Sequence, residues 1–142
     1  MEKITANFSF EELTYSMTAE RLGIVNKPGE KERENLISLC KNILQPIRDK
    51  WHEPIIINSG YRCERLNDIV GGSKTSQHLK GEAADIRCID IHKNKKLFNM
   101  IQRMIQSNEI VVGQLIDEKG MKWLHISLPR TNALNNQILH IK

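Results

Sequence analysis

The sequence predicts an α+β domain: helices come first, and a short, mostly antiparallel sheet follows and packs against them. Two observations predict it. Apolar residues recur with a 3.6-residue period over residues 30–50 and 90–106, as on helices with one buried face. Short β-rich runs, bounded by turn residues, occupy residues 54–60, 83–88, 111–118 and 121–128. A length of 142 residues fits one domain, with a helical lead-in over about 1–52 and a core over about 54–128 that carries the chemistry.

Each element has a local reason. Ser9 and Glu12 have capping-box spacing, and Phe8 and Leu13 suit a hydrophobic staple, so a helix starts here. A second short helix runs over residues 18–22 and stops at Gly23. "NKPG", residues 26–29, is a turn. The long helix over 30–50 shows Leu36, Leu39, Cys40, Ile43, Leu44 and Ile47 on one face, with Pro46 placed to kink it. "PIIINSG", residues 54–60, reads as a buried strand ending in a turn. Residues 62–70 form a short helix closed by Gly71 and Gly72. "AADIRC", residues 83–88, is the second strand. The helix over 90–106 gathers Ile91, Leu97, Phe98, Ile101, Met104 and Ile105 on one side. "VVGQLIDE" and "MKWLHISL" form a hairpin across Lys119-Gly120, and "QILHIK" adds an edge strand.

Composition narrows the function classes. Hydrophobic residues at 39% against 27% charged describe a globular chain rather than a disordered one. No apolar run reaches the roughly 18–20 residues of a membrane span, and the first residues lack the apolar centre of a secretory signal. The chain is therefore expected in the cytoplasm as synthesised. The net charge of +4 is scattered, and its densest cluster, "HKNKK", suits a solvated helix start better than a nucleic-acid patch. A mild positive charge also suits an anionic polymer such as a bacterial cell wall. Cys40, Cys63 and Cys88 make no C-x-x-C pair and read as free thiols.

The chemistry centres on "GGSKTSQHLKGEAADI", residues 71–86. Gly81 permits a tight turn, and Ala83 and Ala84 keep the surroundings small. Alternation along the strand sends Ala84 and Ile86 to the core and puts Ala83 and Asp85 on the other face. The preceding loop can bring His78 back to Asp85, and an imidazole with a carboxylate is a common zinc pair. A third ligand comes from "KWLHIS", where Trp123, His125 and Ser127 share the face opposite Leu124 and Ile126. A strand histidine between apolar residues is more often packed than ligating; its company with His78 and Asp85 favours the metal. A closed zinc site completed by Cys63 or Cys88 is the rival, though strand parity turns Cys88 away from Asp85.

A two-residue Lys119-Gly120 turn would pair Glu118 with Met121 and place Gln114 opposite His125, as a candidate supporting partner of the ligands. Glu118 shares the His125 face but lies four residues further along the strand, about 13 Å away. It reaches the metal only if the hairpin bends or slips register. Asp117 points the other way. In "NSGYRCERLN", residues 58–67, Arg62 opens the short helix and is either a surface ion-pair partner or a fixed guanidinium for a substrate carboxylate or carbonyl. His52, His92 and His140 read as structural or solvated.

"SGYR", "GGSKTSQHLKGEAADI" and "WLHIS" together resemble the zinc D-alanyl-D-alanine carboxypeptidase family, which includes phage L-alanyl-D-glutamate endolysins. Its S-x-H-x-x-G-x-A-x-D pattern is present in full as Ser76, His78, Gly81, Ala83 and Asp85. The lead-in "NFSFEELTYSMTAERLGIVNKPG" also looks like that of small phage or prophage members. The resemblance implies a hedgehog/DD-peptidase-like fold whose sheet carries one zinc ion per chain on His78, Asp85 and His125. It implies substrate binding by Arg62 and Ser76, Trp123 beside the last ligand, and hydrolysis of peptidoglycan stem or cross-bridge peptides by a monomer. Action on the wall would follow release by a phage lysis system. Many members place an acidic base three residues before the last His; here that position is Lys122. Glu118 is then the candidate base and Asp117 the second choice. The same departure leaves a non-catalytic wall-binding module as the alternative function.

Overall fold

The computed structural model describes residues 2–142. The chain folds as α+β with a five-stranded mixed sheet against helices. A small hairpin, β1 (Lys3–Thr5) and β2 (Phe8–Ser9), leads into α1 (Phe10–Thr14) and α2 (Met17–Leu22). Ser9 caps α1: its Oγ accepts from the Glu12 N–H and donates to Glu12 Oε1, and the staple residues Phe8 and Leu13 are both buried. Gly23 ends α2 in the left-handed region at φ 69°. The β1–β2 hairpin was not expected, because "KITANFS" offers neither clear alternation nor a strong turn pair.

The expected single helix over 30–50 is three pieces: α3 (Glu30–Leu39), a π-helical turn (Cys40–Leu44) and α4 (Gln45–Trp51). Pro46 has no N–H, and its ring crowds the carbonyl four residues back. The π turn absorbs that conflict, with the Gln45 N–H donating to Cys40 O, five residues away. The apolar face survives intact: Leu36, Leu39, Cys40, Ile43, Leu44 and Ile47 are all fully buried.

β3 (Ile55–Ser59) is not the buried strand expected; it lies at the sheet edge, and only Ile55 is buried. The short helix α5 (Glu64–Ile69) begins after Arg62, which sits in the extended segment before it, its N–H donating to His78 O at 3.0 Å. β4 (Ala83–Cys88) matches expectation to the residue. A 3-10 turn (Ile91–Lys93) precedes α6 (Asn94–Gln106), so Ile91 is exposed rather than part of the apolar face. β5 (Gln114–Glu118), β6 (Trp123–Ser127) and β7 (Gln137–Ile141) complete the sheet in the order β3-β4-β6-β5-β7. Three pairings are antiparallel; β7 runs parallel to β5, which makes the sheet mixed.

One face of this sheet, with Ala84, Ile86, Leu115, Leu124 and Ile126, closes the core against Leu39, Ile43, Leu97, Phe98 and Ile101. The other face is left for chemistry. No helix of the described residues is long and apolar enough to cross a membrane.

Candidate metal centre

Asp85 and His125 are direct partners across the β4–β6 ladder, on the face opposite Ala84, Ile86, Leu124 and Ile126. His125 Nδ1 lies 2.9 Å from Asp85 Oδ1. His78 arrives from a 3-10 turn (Gln77–Lys80). Ser76 starts that turn, its Oγ accepting from the His78 N–H, and Gly81 closes it at φ 72°. Gly81 has a second reason: a Cβ there would stand 2.5 Å from Glu32 O. His78 Nε2 is 3.3 Å from Asp85 Oδ1, and the His78 and His125 rings meet edge-on at 5.2 Å.

His78 is oriented from behind. Its Nδ1 is 2.7 Å from Gly60 O, and a carbonyl can only accept, so Nδ1 carries the proton and Nε2 presents its lone pair to Asp85 and His125. Such an N–H···O=C bond is what fixes a ligating histidine in metal sites. The ligand atoms of His78, Asp85 and His125 all lie within 4.8 Å of one another, the one such group among the described residues. The 2.9 and 3.3 Å separations sit near the roughly 3.4 Å that tetrahedral zinc imposes on its ligand atoms. Two imidazole nitrogens and a carboxylate oxygen therefore fit zinc, with a fourth position open. Burial pushes the Asp85 carboxyl up, but the His125 and His78 rings beside it outweigh that and hold it well below the ordinary carboxylate range.

Neither Cys63 nor Cys88 joins the group. Cys88 is buried in the core, as parity required, and nothing closes the fourth position with sulfur.

The hairpin differs from expectation. Lys119 to Lys122 form a four-residue loop, closed by the Lys122 N–H donating to Glu118 O, and Lys119, Gly120 and Met121 all adopt positive φ. Met121 packs against the core, and the Asn94 amide donates to both Met121 O and Lys122 O. The register therefore slips by two: Glu118 pairs with Trp123, and Ile116, not Gln114, stands opposite His125. A slip of two preserves the faces. Glu118 moves to two residues beyond the His125 pair, about 7 Å of strand instead of about 13 Å. Trp123 Nε1–H donates to Glu118 Oε2 at 3.3 Å. Gln114 is bound to its neighbours, with its N–H on Ser127 Oγ and its amide on Gln137 Oε1. Asp117 lies on the core face against His140.

Arg62, Ser76, His78, Asp85, Gln114, Glu118, Trp123 and His125 all line one cavity of about 650 Å³. Arg62 is half-buried there, and its Nε has no partner among the described residues. Burial draws the Arg62 pKa down, while Asp85 and Glu118 act to raise it.

Sequence reasoning missed the supports. Asn26, read only as a turn residue, donates to Thr14 O and Tyr61 O and accepts from the Cys63 N–H, so it holds both sides of Arg62. Gly60 lies so close to α1 that a Cβ would stand 2.2 Å from Leu13 O. Lys119 and Arg130 bring further cations to the cavity. Only the polar, special-φ character of Asn and Gly hinted at the first two.

Residues 6–127 match the family described as Peptidase M15. No curated protein matches the chain.

Proposed function

Since the chain belongs to the Peptidase M15 family, we propose that it is a zinc-dependent metallopeptidase that hydrolyses stem or cross-bridge peptides of peptidoglycan. The observation that carries this reading is the convergence of His78, Asp85 and His125 on one cavity that also holds Glu118 and Arg62.

His78, Asp85 and His125 would hold one zinc ion per chain. Zinc bound there supplies Lewis-acid polarisation of the scissile carbonyl and a lowered pKa for water. Glu118 accepts the proton of the attacking water and returns it to the leaving amine. The Trp123 indole N–H fixes its carboxylate for that exchange. Arg62, half-buried in the cavity wall, offers its guanidinium to a substrate carboxylate or carbonyl, in a partly dry setting where such a bond is strong. Ser76 contributes twice, as the cap that holds the His78 backbone and as a hydroxyl for the bound peptide. Gln114 shapes the far wall through its bonds to Ser127 and Gln137.

Glu118 in the cavity favours catalysis over a wall-binding module, despite Lys122 at the position where relatives carry an acid. The test is release of free amines from purified sacculi, with and without zinc, by the wild type and by His78→Ala. Zinc-dependent release by the wild type alone is the expected result. Equal release by the variant defeats the metal role, and binding without release supports the module.

A further inference from the structure

A second cavity, of about 270 Å³, reaches the metal centre at Asp85. It shares Arg62, Val70 and Asp85 with the first, so the two arms adjoin at a candidate metal ligand. Its outer wall is the lead-in segment Tyr15, Ser16, Met17 and Thr18. This wall is built into the site rather than appended to it. The Tyr61 N–H donates to Leu13 O at 2.7 Å, and the Asn26 amide joins Thr14 O to Tyr61 O.

Three apolar side chains at this arm are left open: Tyr15 is 55% exposed, Met17 69% and Val70 45%. Scattered apolar exposure means little, but these three border one cavity that Asp85 and Arg62 also line. The two arms differ in charge. The first carries Lys119, Arg130 and Glu118; the second has no charged group besides the shared Arg62 and Asp85.

We propose that this arm is a substrate subsite: Tyr15 and Met17 receive an uncharged, apolar part of the peptide on the side of the scissile bond away from Glu118. The peptide then lies along both arms, with Arg62 at the junction holding its backbone or carboxylate. This deepens the proposed function and rests on it. The lead-in helices thereby set specificity, and Met17 selects against charge.

The test compares wild type, Tyr15→Ala, Met17→Ala and Met17→Glu in two assays. One is cleavage of purified soluble muropeptides, resolved into kcat and KM. The other is co-sedimentation with purified sacculi, which needs no turnover. Loss of an apolar contact is expected to lower kcat/KM about tenfold, mostly through KM, with Met17→Glu the worst. Zinc content and melting temperature should not change, because these side chains are exposed. Values within twofold of wild type in both assays for all three variants would overturn the subsite. If the wild type sediments with sacculi without cleaving, and Met17→Glu does not sediment, the peptidase reading fails while the subsite stands. A wild type that neither sediments nor cleaves overturns both.

Discussion

Gly60 O accepts the Nδ1–H of His78 at 2.7 Å, so the orientation of a candidate zinc ligand is set by a backbone carbonyl on another loop. That loop can be where it is only because residue 60 has no side chain. A Cβ would meet Leu13 O at 2.2 Å, while the next N–H, that of Tyr61, donates to the same oxygen. Gly60→Ala must push the loop off α1 and carry the carbonyl away from His78. We expect a loss of about 1–3 kcal/mol in stability and a fall of roughly 10–100-fold in zinc affinity. Thermal melts and zinc titration of the same protein measure both. Unchanged zinc affinity in a destabilised variant would show that the carbonyl does not orient the ligand.

Asp85 is the sharpest test of the metal itself. It lies among Ala83, Ala84 and Ile86, with His125 Nδ1 at 2.9 Å and His78 Nε2 at 3.3 Å from its Oδ1. Elemental analysis should find about one zinc per chain in wild type and almost none in Asp85→Ala, since two histidines alone leave an incomplete site. Zinc absent from both proteins after zinc addition at neutral pH would reduce the triad to a hydrogen-bonded cluster.

The two adjacent carboxylates of "QLIDE" should behave oppositely. Glu118 faces the cavity and is held by Trp123; Asp117 is buried on the core side against His140. Glu118→Gln is expected to lower kcat by roughly 10²–10⁴ while keeping its zinc. Asp117→Asn should keep kcat near wild type and lower the melting temperature instead, because it weakens the link from β5 to β7. Equal kcat in Glu118→Gln and wild type would move the base elsewhere.

Strand parity made much of this site legible before any coordinates. The alternation in "AADIRC" and "WLHIS" assigns Asp85 and His125 to one face, and the ladder pairs them directly. What parity cannot supply is register, since a shift of two residues leaves every face unchanged. The hairpin shows the consequence. "KG" suits a two-residue turn, yet Met121 finds a place against the core and Asn94 ties down the loop, so four residues turn instead. Those are contacts from 27 and 28 residues away, invisible to local reading. Asn26 and Gly60 escaped for the same reason: their value lies in what they touch across the fold. Pro46 was legible as a disturbance, but its form, a π turn that keeps the apolar face aligned, depends on the core that face enters.

Asn94 should therefore matter for stability although it is remote in sequence from everything it holds. It is fully buried; its Oδ1 accepts from the Cys88 N–H and its Nδ2 donates to Met121 O and Lys122 O. Asn94→Ala leaves the buried Cys88 N–H and the part-buried Met121 and Lys122 carbonyls without this partner, a cost of about 3 kcal/mol. The melting temperature should drop by about 10 °C. Because the loop also sets the β5–β6 register that brings Glu118 to the cavity, kcat should fall more than KM rises. A variant with wild-type melting and kcat would remove Asn94 from this role.

Alkaline pH should unfold the protein partly through Cys40. Burial pushes this thiol up from 9.0 to about 12, with Glu12 adding to the shift. In the unfolded chain it ionises near its ordinary value; in the folded chain it stays protonated well beyond. Between those values the folded state binds the extra proton, so stability is full below about pH 9 and declines as pH climbs toward 12. Other groups titrate in the same range, and a single melt series cannot isolate the cysteine. Cys40→Ala can. The variant starts less stable, because it leaves a small void in the π turn, but its melting temperature should fall less steeply from pH 9 to 11 than that of wild type. Parallel slopes would mean that ionisation of Cys40 does not drive the loss. Alkylation of native protein at pH 8 gives an independent reading: Cys40 and Cys88, the latter raised to about 11 by burial first and Glu53 second, should stay unlabelled until denaturant is added.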